Sequence, residues 1–285
     1  MAYTFQSAFS QFYEAINLPG DHRETANQRK DHLIELLGGK FEIVDAFGTG
    51  SIPKYTALKG HADLDIFLVL HFGKHCENKL PSEVLKSVQK ALTYKTTVRR
   101  NGQAVSLSYT TWPTVDIVPV FFTHENGTIT HYNVPDMNAE TWVPSRPKVH
   151  AEAIANAASL YGENFRKIIK MVKAWNLAHS DCLQSYHIEV LALKVLTGNL
   201  SDLSWSVFSF FNEARALLTA PLWHDKGYVD SYLGSGDRYK ILKRFDTAIG
   251  IARDAWYFTY PPNSDHQAAI GRWKQLFGGQ FPSYG

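Results

Sequence analysis

The stretch Asp63-Leu64-Asp65-Ile66-Phe67-Leu68-Val69-Leu70 sets two carboxylates two residues apart at the head of an apolar run, shortly after Gly48-Thr49-Gly50-Ser51. In extended backbone alternate residues share a face, so Asp63 and Asp65 project together beside a run too apolar to lie on a solvent-facing strand. Val115-Asp116-Ile117-Val118-Pro119 repeats the setting with one carboxylate. Three carboxylates gathered at the end of an apolar sheet repel one another and resist ionisation unless a divalent cation lies among them. The pattern points to metal-assisted phosphoryl or nucleotidyl transfer. Two metals ~3.5–4 Å apart suit that chemistry. Asp63 and Asp65 would serve both, while Asp116 would serve chiefly the catalytic one and could accept the proton of an attacking hydroxyl. The expected ions are Mg2+, with Mn2+ as a substitute. Gly48 and Gly50 would let the backbone approach a phosphate, and Ser51 would offer its hydroxyl and amide at the start of a short helix over Pro53 to Leu58.

Composition removes several other classes. A chain of 285 residues that is 45% hydrophobic can bury a sizeable core. Its longest apolar runs, Ile66 to Leu70 and Ile117 to Phe122, fall far short of the ~20 residues that span a bilayer. No basic segment followed by an apolar one opens the chain, so no signal peptide is expected. Cys76 and Cys182 are the only cysteines. That usage predicts a cytoplasmic protein without a disulfide framework or zinc ribbon. A formal charge of +2 is too small for a general nucleic-acid coat, and no obligatory nucleic acid and no membrane is expected as a partner.

Periodicity divides the chain. Phe5, Phe9, Phe12, Tyr13 and Ile16 have helical spacing, and a second helix is predicted over Asn27 to Leu37, before Gly38-Gly39. Strands are predicted at Phe41 to Phe47, Leu64 to Phe72, Thr96 to Arg100, Ala104 to Thr110 and Val115 to Phe122, with a helix from Pro81 to about Leu92. Asn101-Gly102 is a hairpin turn signal, and Arg99 and Arg100 beside it read as solvated tip residues, with contact to an acceptor strand or a partner as the alternative. From Ile154 onward the pattern is helical, with predicted helices at 154–160, 165–178, 186–196, 206–218, 239–256 and 267–277. We therefore expect an α/β (α+β) fold in two lobes. Residues 1–147 would form a catalytic lobe with a mixed sheet, its first helix acting as a spine, and residues 148–285 a helical lobe that completes a cleft for NTPs.

The order of glycine-serine turn, Asp-x-Asp strand and later aspartate resembles the nucleotidyltransferase superfamily of DNA polymerase β. Met171-Val172-Lys173-Ala174-Trp175-Asn176 and Gln184-Ser185-Tyr186-His187-Ile188-Glu189-Val190-Leu191 narrow the likeness to the bacterial cGAS/DncV-like nucleotidyltransferases, the cyclic-oligonucleotide synthases of antiphage signalling. The likeness spans about residues 25 to 257. It implies that NTPs are joined into a cyclic di- or trinucleotide with release of pyrophosphate, and that the product acts on a downstream effector. It also implies that Gly50 and Ser51 hold phosphate, that Lys173 and Ser185 contact the donor's β- and γ-phosphates, and that Tyr186 stacks on the donor base. Lys170, one turn earlier, is the alternate phosphate ligand. The alternative activity is RNA tailing or CCA addition, which uses the same aspartates. The chain departs from the common family pattern after the serine, where it reads Ile52-Pro53-Lys54-Tyr55, and at Tyr260-Pro261-Pro262-Asn263.

Overall fold

The computed structural model describes residues 4–92, 96–99 and 102–285. Its chain begins with α1 (Phe5–Ile16) and α2 (Gly20–Gly38). Then come β1 (Ile43–Thr49), β2 (Leu64–Leu70), α3 (Phe72–His75), α4 (Pro81–Ala91), β3 (Thr96–Val98), β4 (Val105–Leu107), β5 (Val115–Glu125), β6 (Thr128–Asp136) and β7 (Thr141–Ser145). Helices α5 (Pro147–Tyr161), α6 (Asn164–Ala178), α7 (Ser185–Val195) and α8 (Leu203–Leu217) follow. A two-stranded hairpin, β8 (Trp223–His224) and β9 (Gly227–Tyr228), precedes α9 (Ser235–Tyr257) and α10 (His266–Phe277).

Two compact units result: Leu18–Glu152, and Met1–Asn17 together with Ala153–Gly285. This differs from the division expected near Pro147 with the first helix in the catalytic lobe. The reason is aromatic packing. Phe9 lies 5.0 Å from Trp273 and 5.5 Å from Phe281 by ring centroids, and Phe12 lies 4.5 Å from Phe277. All of these rings are buried, so α1 shares the core of the C-terminal helices rather than that of the sheet.

In the unit Leu18–Glu152 the strand order is β1-β2-β5-β4-β3, with β6 pairing β5 and β7 pairing β6. β2 and β5 run parallel; the other pairs are antiparallel. β5 is long enough to change partners along its length, pairing β4 through Val115 to Ile117 and β6 from Phe121 onward. Side-chain alternation gives the sheet two faces. Leu64, Ile66, Leu68 and Leu70 pack with Val115 and Ile117 beneath Leu33 and Leu37 of α2 and Val84, Leu85 and Val88 of α4. Phe67, Val69, Val118, Val120, Tyr132 and Val134 form a smaller cluster on the opposite face. Asp65 and Asp116 have the alternation of this second face.

The predicted helix over Pro53 to Leu58 does not form. Tyr55 has φ 62°, a left-handed conformation that a right-handed helix cannot pass through. The segment closes as turns instead, with the Tyr55 amide donating to the Ile52 carbonyl and the Thr56 amide to that of Ser51. Thr96 to Val98 pairs with Val105 to Leu107 as the hairpin reading requires, although Arg100 and Asn101 lie outside the described residues.

The helical unit places the sequence motif residues by distinct means. Trp175 is a core residue, 4.8 Å from Phe211 and 5.2 Å from Phe245. Buried Asn176 ties down the loop after α6. Its amide donates to the Leu183 carbonyl at 2.7 Å and to Asp181 at 2.8 Å, and its carbonyl accepts from the Leu183 amide at 3.0 Å.

Candidate active site

Strand register alone builds a polar row across the sheet. Thr49 pairs with Asp65, Asp65 with Asp116, and Asp116 with Ser106. Paired residues in adjacent strands share a face, so the carboxylates of Asp65 and Asp116 stand side by side between two hydroxyl residues. Asp63 lies one residue before β2 begins. Asp116 is 1% exposed, whereas the Asp63 side chain is 43% exposed.

Gly50 has a role beyond a flexible turn. Its φ is +74°, and a Cβ built there would lie 1.9 Å from Asp65 Oδ2. The position is closed to a side chain because the carboxylate occupies that space. Ser51 lies in the turn that follows, and without a helix behind it the amide gains no helix dipole, contrary to the sequence reading.

The electrostatics match a site short of positive charge. Burial, followed by the neighbouring charges of Asp116 and Asp63, pushes the Asp65 carboxyl up to about 7, against the pull of Arg99. Asp116 is also raised, chiefly by burial, while the Ser106 hydrogen bond and Arg99 act in the opposite direction. Ser106 Oγ donates to Asp116 Oδ1. Arg99, read from sequence as a solvated tip residue, instead bridges the aspartates. Its Nη2 donates to Asp63 Oδ2 at 3.1 Å, and its Nε lies 2.8 Å from Asp116 Oδ2. The second contact is an ion pair without an aligned hydrogen bond, so Asp116 Oδ2 stays buried and without a hydrogen-bond partner.

Among the described residues no three carboxylates, imidazoles or thiols are gathered as a ready metal cage. The donor set nevertheless fits a hard divalent cation: it consists of carboxylate oxygens, one of which, Asp116 Oδ2, is buried and ion-paired but accepts no aligned hydrogen bond, and Asp65 and Asp116 are raised in pKa chiefly by burial. Neither Arg99 nor Ser106 was singled out for the site from sequence. Ser106 had a legible signal, as the one polar residue in Ala104-Val105-Ser106-Leu107. Arg99 had none beyond lying near the hairpin.

In the helical unit, Lys173 is 5% exposed and its Nζ donates to Glu189 Oε1 at 2.7 Å, linking α6 to α7. Glu189 is fully buried and stands one turn after Ser185 on α7. Ser185 is the first residue of that helix, Gln184 is its N-cap, and no side chain caps it. Tyr186 is 37% exposed, with its ring 6.3 Å from that of His224. Tyr232 fixes the start of α7: its hydroxyl oxygen accepts from the Gln184 amide at 3.0 Å and lies 3.0 Å from His187 Nδ1. Burial depresses His187 to about 4, so the ring is neutral. Lys170 is 2% exposed and donates to Asn17 Oδ1 at 2.5 Å.

A mixed sheet with neighbouring carboxylates on parallel strands, followed by a helical unit, defines a nucleotidyltransferase of the polymerase β-like class. Residues 3–157, more than half of the chain, match the Second Messenger Oligonucleotide or Dinucleotide Synthetase domain, and the chain belongs to that family. It is 22% identical to a probable cyclic nucleotide synthase of Bacillus cereus (strain VD146), covering 100% of this chain and 99% of the relative. It is 24% identical to the cyclic AMP-AMP-AMP synthase of an Acinetobacter species, covering 89% of this chain and 74% of that one. Its fold is similar to that of CdnC from E. coli MS115-1, solved in a HORMA-deltaN complex, with TM-score 0.78 at 17% identity over 97% of this chain and 98% of the other. The cGAS/DncV-like likeness read from the motifs and the polymerase β-like fold both hold, and the chain is an enzyme that synthesises cyclic oligonucleotides.

Proposed function

We propose that the enzyme joins two or three NTPs stepwise into a cyclic di- or trinucleotide, releasing pyrophosphate at each bond, and that the product signals to an effector in antiphage defence. The carrying observation is the Asp65–Asp116 pair on adjacent parallel strands, with Asp63 just before it. The three would hold Mg2+, or Mn2+ in its place. When bound, such ions neutralise triphosphate charge and lower the pKa of the attacking hydroxyl.

The remaining work belongs to the chain's own groups. The bare backbone at Gly50 leaves room for the Asp65 carboxylate, and Ser51 offers a hydroxyl to a phosphate. Asp116, raised in pKa by burial, is suited to take up the proton of the attacking hydroxyl. Lys173 and Ser185 are assigned to the donor's β- and γ-phosphates. Exposed Tyr186 is assigned to the donor base, where stacking contributes ~1–3 kcal/mol with little preference among bases. Two unpaired cysteines and the absence, among described residues, of a helix long and apolar enough to cross a membrane support a cytoplasmic setting.

The test is incubation with four labelled NTPs and Mg2+ or Mn2+, with and without tRNA. A small phosphatase-resistant product formed without RNA supports cyclisation. Elongation of tRNA with no small product would replace this reading with RNA tailing.

A further inference from the structure

Within the unit Leu18–Glu152, the guanidinium of Arg99 bridges Asp63 and Asp116, and the charge of Lys54 acts more weakly on Asp65. We propose that Arg99 is a resident counter-ion of the carboxylate cluster: it competes with the divalent cation and must swing out before the metal is bound. This rests on the reading of Asp63, Asp65 and Asp116 as metal ligands.

Both oxygens of Asp116 are engaged from within the chain. Oδ1 accepts from Ser106 and Oδ2 faces Arg99 Nε at 2.8 Å. The same guanidinium holds Asp63 Oδ2 at 3.1 Å. A magnesium-type ion takes carboxylate oxygens at ~2.0–2.1 Å. A metal on those oxygens would therefore press a second cation against the guanidinium, and the two cannot share the position. An arginine fork suits the holding role, since its donors are spaced to meet two carboxylates at once and its charge is permanent.

The geometry also provides for release. The backbone of Arg99 is pinned, with its amide donating to the Ala104 carbonyl at 2.9 Å and its carbonyl accepting from the Gly102 amide at 2.8 Å. Its side chain is 43% exposed, so rotation about side-chain bonds frees it without unfolding the hairpin. Arg99 itself lines a cavity of about 280 Å³, with Asp65, Gln103 and Ser145 among apolar residues such as Phe67, Val118 and Val134.

Titration of the whole chain with Mn2+ alone, free ion being counted by electron paramagnetic resonance without nucleotide, reads this directly. Arg99→Gln removes the competing charge and is expected to bind Mn2+ about tenfold more tightly than the unaltered chain, as loss of a charge-assisted contact of ordinary strength implies. Arg99→Lys should fall between them. The rise in melting temperature on adding Mn2+ should likewise be larger for Arg99→Gln, a comparison that holds even if the substitution lowers the starting stability. Equal or weaker Mn2+ binding by Arg99→Gln would overturn the proposal. The Asp63→Asn, Asp65→Asn double variant separates the two readings. If it loses Mn2+ while Arg99→Gln matches the unaltered chain, the metal reading stands and the Arg99 proposal falls. If the double variant keeps its Mn2+, or neither the unaltered chain nor Arg99→Gln binds any, both fall together.

Discussion

A Cβ at Gly50 would meet Asp65 Oδ2 at 1.9 Å, so the smallness of this residue is a property of the site and not of the turn alone. Gly50→Ala would combine left-handed strain with a collision against Asp65. We expect a loss of about 1–3 kcal/mol in stability, read as urea midpoint, together with loss of synthesis. Unchanged values for both would remove the role given to this contact. Asp65 makes a pH prediction whose sign is set by its raised pKa. A carboxyl raised from ~3.9 in the unfolded chain to about 7 in the folded one contributes stability below ~3.9 that is lost as pH rises through 7. In EDTA, the melting temperature should therefore fall more steeply between pH 5 and 8 for the unaltered chain than for Asp65→Asn. Parallel curves would contradict the assignment of the shift to this residue. The aspartates were legible because carboxylates in an apolar strand violate the ordinary pattern. Arg99 was not, because an exposed arginine next to a hairpin turn looks the same in sequence whether or not it reaches back to a carboxylate.

At the scale of elements, the helices and central strands were readable from periodicity, and the errors have local causes. β6 and β7 went unread although Asn126 and Gly127, with φ 51° and 76°, form the positive-φ turn that joins β5 to β6. Pro135 and Pro144 lie within those strands, and proline argues against strand in a linear reading. The lost helix after Ser51 turned on the φ of Tyr55, a choice no periodicity records. Lys173 and Glu189 couple α6 to α7 through a buried ion pair that sequence spacing did not reveal, although Glu189 in Ile188-Glu189-Val190-Leu191 is an acid in an apolar helix. Glu189→Ala would strip this buried ammonium of a carboxylate and should cost about 3–5 kcal/mol in chemical denaturation. A change under ~1 kcal/mol would mean that the pair does not brace these helices.

For the molecule as a whole, the first helix was read as a spine in the catalytic lobe, whereas its rings pack with the C-terminal helices, because an amphipathic pattern names a buried face and not the partner that covers it. Phe12, buried against Phe277 and Phe281, should lose about 3–5 kcal/mol on replacement by alanine. A cost near zero would contradict the joining of α1 to the C-terminal helices. Template-free synthesis of a cyclic oligonucleotide by the aspartate site is read by mass spectrometry of products made from all four NTPs with Mg2+. The comparison is between the unaltered chain and the Asp63→Asn, Asp65→Asn variant, each shown to be folded by circular dichroism. A cyclic di- or trinucleotide and pyrophosphate are expected from the unaltered chain and neither from the variant. An equal yield from both would contradict that expectation.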